Sequence, residues 1–184
     1  MTAVLVSWAD ANEPVTLADV AAQCRIDADD AEAEKDLIEK LIIPGARQLA
    51  ETRSGAAIRK GTYREILRSF PEDEFPLSKG QATEVTSLKC GGAVVNPTTY
   101  QLINLGKESL LSPSASWPAS GTVEIEYEAG IDLEEYPSVK QWILMACAWA
   151  YSQRGLLLTG QKVEEMPSSY VDSLLDPICT PPRF

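Results

Sequence analysis

Between Thr16 and Cys24 apolar residues recur on one helical face at Leu17, Val20, Ala21 and Cys24, behind a capping hydroxyl at Thr16 with Asp19 three positions on. That pattern predicts a short helix. Asp27 to Asp36 then crowds acids into the start of a longer one, where the amide dipole favours negative charge. Leu37, Ile38, Leu41, Ile42 and Leu49 would supply its apolar face. Pro44 should bend it, because one turn's hydrogen bond is lost there, and Gly55 is a natural stop.

After Ile58 the period shortens to strand-like runs divided by turn residues. Tyr63 to Phe70 is the first, followed by a loop, Pro71 to Gly80, rich in acids and proline. Val85 to Lys89 is the second, Cys90-Gly91-Gly92 reads as a hairpin turn, and Tyr100 to Leu105 is the third. The clearest strand is Thr122 to Ala129. There Val123, Ile125, Tyr127 and Ala129 alternate with Thr122, Glu124, Glu126 and Glu128, which predicts one buried face and one acidic face.

Helical pattern returns at Pro137, a residue suited to the first helical position, and Val139, Trp142, Ile143, Ala146, Trp149 and Ala150 carry it toward Gly155. From Trp142 to Tyr151 the helix is apolar almost all round. That places Trp142, Ile143 and Trp149 in the core or at a subunit interface. Pro167 opens a last short helix with Val171, Leu174 and Leu175, which Pro177 ends. The fold class predicted is α+β. It has a helical core (two N-terminal helices, one long apolar helix, one short C-terminal helix) with a strand-rich insert and an extended C-terminal arm. In residues, helices occupy about 16–54 and 137–176, the β-rich insert about 58–130, one domain runs over 1–176, and the arm over 177–184.

The chain has 184 residues, enough for one domain that buries about two thirds of its unfolded surface without a disulfide staple. Hydrophobic residues at 45% and charged residues at 23% fit a folded, soluble globule better than a disordered polymer. With 16 basic against 27 acidic residues the net charge is -11, which argues against a surface that grips nucleic-acid phosphates. Enclosing DNA without gripping it stays open.

Histidine is absent, which removes Ser-His-Asp and Cys-His triads, His-ligated zinc, haem on a proximal His and the commonest general base. Cys24, Cys90, Cys147 and Cys179 never fall in C-x-x-C spacing; Cys24 and Cys147 sit in apolar helical patterns as core thiols. Met1 to Trp8 lacks the length and positive flank of a signal peptide, and no apolar run reaches the roughly 18 residues of a membrane span. A reducing, intracellular site of synthesis and no membrane partner are expected.

Several stretches imitate chemistry. Asp27, Asp29, Asp30, Glu32 and Glu34 suggest a calcium loop, but Glu32 stands where glycine is needed and the spacing continues as helix. Gly155 to Lys162 has a phosphate loop's glycine separation, with Gln161 in place of the lysine. Asn96-Pro97-Thr98 is excluded from glycosylation by its proline, and Ser78-Lys79 is a weak imitation of a serine-lysine dyad in a loop. Glu124, Glu126 and Glu128 share a strand face at about 6.6 to 6.8 Å intervals, too far for two of them to share one ion unless a side chain bends. A hydrated outer or lumenal face fits them better. No cofactor is expected.

Four stretches in order resemble the head-tail connector, or adaptor, family of long-tailed bacteriophages and prophages. They are Pro14 to Val20 running into Arg25-Ile26-Asp27; the helix to Thr52-Arg53-Ser54-Gly55; Ser116-Trp117-Pro118 leading to Val123 through Gly130; and Pro137 to Arg154, with Trp149, Tyr151 and Arg154 near its end. The stretch between Phe70 and Thr122 is more individual. The resemblance implies a structural virion protein, not an enzyme, that forms a twelve-copy ring beneath the portal. Such a ring extends the DNA channel, lets double-stranded DNA pass without sequence-specific binding, and presents a platform to a stopper or tail-completion protein. Its place is the virion neck, after assembly in the host cytoplasm.

Two sets of residues then acquire roles. Pro177, Pro181 and Pro182 bias the end of the chain toward extended backbone, and with Ile178, Arg183 and Phe184 they form a candidate portal-binding arm. The candidate channel acids are Glu124, Glu126 and Glu128 on the strand, or Glu72, Asp73 and Glu74 in the loop. Two alternatives stand beside the connector: another neck protein, such as a stopper or tail-completion protein, and a small carboxylate or metal enzyme using Glu124, Glu126 and Asp132.

Overall fold

In a computed structural model, residues 2–118, 121–153 and 168–181 are described, and the chain is α+β. It divides into two compact units. One comprises Met1–Ala11, Gly55–Ile131 and Ile178–Phe184, the other Asn12–Ser54 and Asp132–Pro177.

The second unit is helical. Thr16 caps α1 (Leu17–Cys24) through the reciprocal box that its spacing to Asp19 predicts: the Asp19 amide donates to the Thr16 hydroxyl at 3.2 Å, and the Thr16 amide to the Asp19 carboxylate at 3.0 Å. The acidic stretch forms α2 (Ala28–Ala33) and a single turn, α3 (Lys35–Leu37), which leads through a π turn (Ile38–Ile42) into α4 (Ile43–Ser54). The π turn widens the backbone just ahead of Pro44, which has no amide hydrogen to give to the preceding turn. Gly55, with φ of 73°, takes the left-handed conformation that ends the helix.

Burial corrects the apolar face predicted for this stretch. Ile38 and Ile42 are inside, but Leu41 and Leu49 are 65% and 46% exposed. The extra residue in the π turn rotates the face, and Arg47 turns inward instead. Its guanidinium donates to Glu13 at 2.6 Å and to Glu51 at 2.6 Å. Burial weakens the charged form, and the bonds to Glu13 and the charge of Glu51 more than restore it, so the Arg47 pKa is raised.

α5 (Pro137–Ser152) starts with its proline at the first turn and buries Val139, Trp142, Ile143 and Cys147, packing against α1 and α4. Trp149 does not follow Trp142 into this core. It is 65% exposed: seven residues bring it back within about 20° of the same face, but the buried seam of α5 ends at Cys147, before the last turn. Burial pushes the Cys147 thiol up to about 12, whereas Cys24 is only half-buried. α6 (Ser168–Ser173) is tied to α4 by an Arg53–Asp172 ion pair at 2.6 Å, and Leu174 and Leu175 after it are buried. Pro177 lies within a 3-10 turn, Asp176–Ile178.

The first unit is antiparallel β. Its strands are β1 (Val4–Trp8), β2 (Gly61–Leu67), β3 (Phe75–Pro76), β4 (Ala82–Cys90), β5 (Ala93–Val94), β6 (Tyr100–Asn104), β7 (Ser109–Pro113) and β8 (Val123–Ala129). Five of them form one sheet in the order β1-β2-β8-β4-β5, and three form a second, β3-β7-β6. The hairpin at Cys90 pairs with Ala93 across Gly91 and Gly92, whose φ of 58° and 84° only glycine adopts cheaply twice in succession. β8 is central, and Val123, Ile125, Tyr127 and Ala129 are all buried as the alternation predicts. β1, β3, β5 and β7 are not in the predicted set, and β4 is longer than predicted because two register shifts interrupt its alternation.

The end of the chain returns to this unit. Ile178 is buried, its carbonyl accepts a bond from the Gln81 amide at 3.3 Å, and the Thr180 hydroxyl lies where a side chain at Gly55 would begin. An arm starting at Pro177 must therefore be shortened: Ile178 is occupied in its own core, and Pro181 is the first exposed residue after it. Pro182, Arg183 and Phe184 lie outside the described residues, as do Arg154 to Pro167, with Gly155, Gly160 and Gln161 among them.

Candidate functional surfaces

The register assembles the open face of the five-stranded sheet row by row. Glu128 stands between Thr62 of β2 and Glu84 of β4, Glu126 between Arg64 and Ser87, and Glu124 between Ile66 and Lys89. Arg64 reaches Glu124 at 3.5 Å, with both side chains partly exposed. The face is thus not uniformly acidic. Its carboxylates are balanced by Arg64 and Lys89 at one end and doubled by Glu84 beside Glu128 at the other. An exposed pair such as Arg64–Glu124 contributes about 0–1 kcal/mol to stability. It does change the local field, leaving Glu84 and Glu128 as the concentrated negative spot.

Glu72, Asp73 and Glu74 are exposed on a loop held by aromatic contacts. Phe70 and Trp117 stack with centroids 4.2 Å apart, Phe75 tilts against both rings, and the Trp117 indole donates to the Asp73 carbonyl at 3.0 Å. The place of Trp117 against this loop is not legible in the sequence. A tryptophan set between Ser116 and Pro118 is the only local signal, and it carries no partner in itself.

The same loop is latched to the sheet at its other end. Glu65, on the inward face of β2 and 1% exposed, accepts the Ser78 amide at 2.6 Å and a short bond from the Tyr127 hydroxyl. The Lys79 amide donates to that hydroxyl at 3.2 Å, and the Lys79 ammonium donates to the carbonyls of Gly55 and Ala56 at 3.3 and 3.1 Å. Burial, with the Glu65 carboxylate beside it, holds the Tyr127 pKa far above its ordinary value. Ser78-Lys79 is thus a structural clasp. Its lysine caps carbonyl groups and does not face the Ser78 hydroxyl as a base.

Among the described residues no group of three His, Cys, Asp or Glu side chains is placed to hold a metal ion. Glu124, Glu126 and Asp132, the carboxylates of the enzyme alternative, are therefore not such a group. Among the described residues no helix is long and apolar enough to cross a membrane. Trp142 and Ile143 are core, Trp149 is surface, and the Arg53 guanidinium sits 5.7 Å from the Trp142 ring centroid.

No protein-family profile and no curated protein matches the chain. Solved structures do. A chain in the neck of an empty gene transfer agent (GTA) particle, computed with C6 symmetry, superposes with a TM-score of 0.80 at 20% identity, covering 100% of this chain and 98% of its own. A chain in the virion of a native GTA particle gives 0.79 at 18% identity, with the same coverages. A chain in the neck of a native GTA particle computed with C12 symmetry gives 0.68 at 18% identity, again over 100% and 98%. The chain shares its fold with chains of gene transfer agent particles. The likeness runs from end to end, so it takes in both units and is not a match to a common β-sheet or helix pair alone.

Proposed function

We propose that this chain is a non-enzymatic structural protein of the neck of a tailed phage or phage-like particle. In the finer reading it is a head-tail connector: one domain in function, twelve copies in a ring below the portal, joining the DNA-filled head to the tail and extending the DNA channel. The portal lies on one side and a stopper or tail-completion protein on the other, and double-stranded DNA passes through. The protein resides in the virion, after assembly in the host cytoplasm.

The observation that carries this reading is the full-length likeness to chains from necks treated with C6 and C12 symmetry. The order of sequence segments found in connectors supports it independently. Within the ring, exposed Trp149 is assigned to a contact with a neighbouring subunit or neck protein, since a tryptophan left in water at a helix end gains most by burial. Glu84 and Glu128 are the strongest channel candidates on the sheet, and Glu72, Asp73 and Glu74 those on the loop.

Light scattering on the purified protein, alone and with portal-bearing heads, tests the reading. A closed ring, or stoichiometric addition to heads that then accept tails, is the expected result. A protein that stays monomeric under both conditions, or that co-purifies with tail tubes and never with heads, overturns it.

A further inference from the structure

The five-stranded sheet has two open ends of the same chemical character. At one end Val4, Leu5 and Val6 of β1 are 60%, 36% and 49% exposed, in a strand with neither charge nor proline. An outer strand presents a row of unpaired amide and carbonyl groups, and proteins usually blunt such an edge with lysine, proline or a covering element. At the other end Ala93 is exposed and Val94 is 72% exposed.

The direction of the two edges decides how copies can join. Every neighbouring pair in β1-β2-β8-β4-β5 is antiparallel, so four reversals separate the outer strands and β1 and β5 run the same way. One copy's β5 can lie beside the next copy's β1, in parallel, without the subunit being turned over, after a slide of about two to three residues along the strand, because β5 is level with Val123 and Glu124 of β8 and β1 with Glu126 to Ala129. Repeated, this is a head-to-tail contact, the kind that closes into rings, whereas β1 against β1 is a two-fold contact that stops at a dimer. Neither edge strand carries a charge that must be desolvated, and valines meet valine across the join.

We propose that β1 is a subunit interface whose occupant is the β5 edge of an adjacent copy. The inference rests on the ring reading above and adds the surface that builds it. β5 is only two residues long, so main-chain bonds are few, and apolar contact between Val4, Leu5 or Val6 and Val94 supplies the rest.

Disulfide trapping in the full-length protein tests it. With Cys24→Ser, Cys90→Ser and Cys179→Ser as background, which leaves only the buried Cys147, Leu5→Cys or Val6→Cys is combined with Val94→Cys and oxidised in assembled rings. Within one chain the two edges are separated by four strand spacings, roughly 19 Å. A disulfide needs about 4.4–6.8 Å between Cα atoms, so any bond formed is between copies. The expected result is a ladder of covalent oligomers from the double variants and monomer from each single one. Dimers from Leu5→Cys alone would mean β1-on-β1 pairing, and an uncross-linked ring would mean another interface; either overturns the proposal while the ring reading stands. No oligomer by light scattering, alone or on heads, overturns both. As a second variant, Val4→Lys with Val6→Lys should leave the unfolding midpoint unchanged and raise the concentration at which rings dissociate about tenfold or more. An unchanged dissociation concentration counts against the contact.

Discussion

Tyr127 ties three parts of the β unit together: it stacks on Tyr63 at 6.2 Å, donates to Glu65 and receives the Lys79 amide. Its phenol titrates from an ordinary value of 10.0 in the unfolded chain and from a raised value in the folded one. The folded state therefore holds this proton more tightly. Its contribution to stability is complete below pH 10 and is lost as the pH rises above that value, since only unfolding lets the phenol ionise. Denaturant midpoints measured from pH 8 upward should fall beyond pH 10, with one tyrosine ionising only as the protein unfolds. Tyr127→Phe should remove that tyrosine's delayed ionisation. It also strips a partner from buried Glu65, so it should cost about 1–3 kcal/mol in urea melts at neutral pH. An unchanged midpoint would show the latch to be unimportant for the fold.

At the scale of elements, α5 separates two tryptophans that the sequence treats alike. Trp142→Ala opens a buried cavity and should cost about 3–5 kcal/mol. Trp149→Ala, on the surface, should shift stability by no more than about 0.5 kcal/mol and reduce ring or neck assembly instead. Thermal melts beside light scattering read the two effects separately; equal loss of melting temperature would refute the division. This contrast also shows what was legible. Elements with a strict period and a cap could be read from sequence, as in α1 with Thr16 and Asp19, β8 with its alternation, and the Gly91-Gly92 hairpin. Elements that depend on a distant partner could not. β1 is exposed on both faces, so it has no period to detect. β7, S-L-L-S-P, buries Ser109 because that hydroxyl donates to the Gly80 carbonyl at 2.7 Å, which only the fold supplies. Glu65 occupies a core position for the same reason, and Leu41 and Leu49 face outward because a π turn shifted the helix phase. That Glu124, Glu126 and Glu128 share one face of β8 is legible in its alternation, but their balancing by Arg64 and Lys89 is a matter of cross-strand register, which no single strand contains.

For the whole molecule, charge and chain end set what can be tested. A net charge of -11 and a sheet face whose cations are matched to carboxylates leave few sites at which phosphates could displace counterions. The isolated protein should not retard duplex DNA at physiological salt, in a gel-shift assay run against a basic control protein, and tight binding there would exclude a channel that DNA must slide through. The end of the chain yields the sharper outcome. Removing everything after Leu175 deletes Ile178 from the β unit's core and the Gln81 bond to its carbonyl, so that truncation should destabilise the fold by a few kcal/mol, about the cost of emptying a buried isoleucine site. Removing only Pro182, Arg183 and Phe184 spares the buried Ile178 and the Gln81 bond to its carbonyl, so it should avoid that cost. If those residues are the portal-binding arm, the shorter truncation should nevertheless fail to attach to portal-bearing, DNA-filled heads, because the guanidinium and the aromatic ring that would enter a cleft are gone. The two truncations together separate folding from docking: attachment that survives loss of Arg183 and Phe184 moves the portal contact onto the helices, while attachment lost only with Ile178 reduces the end of the chain to a staple of its own β unit.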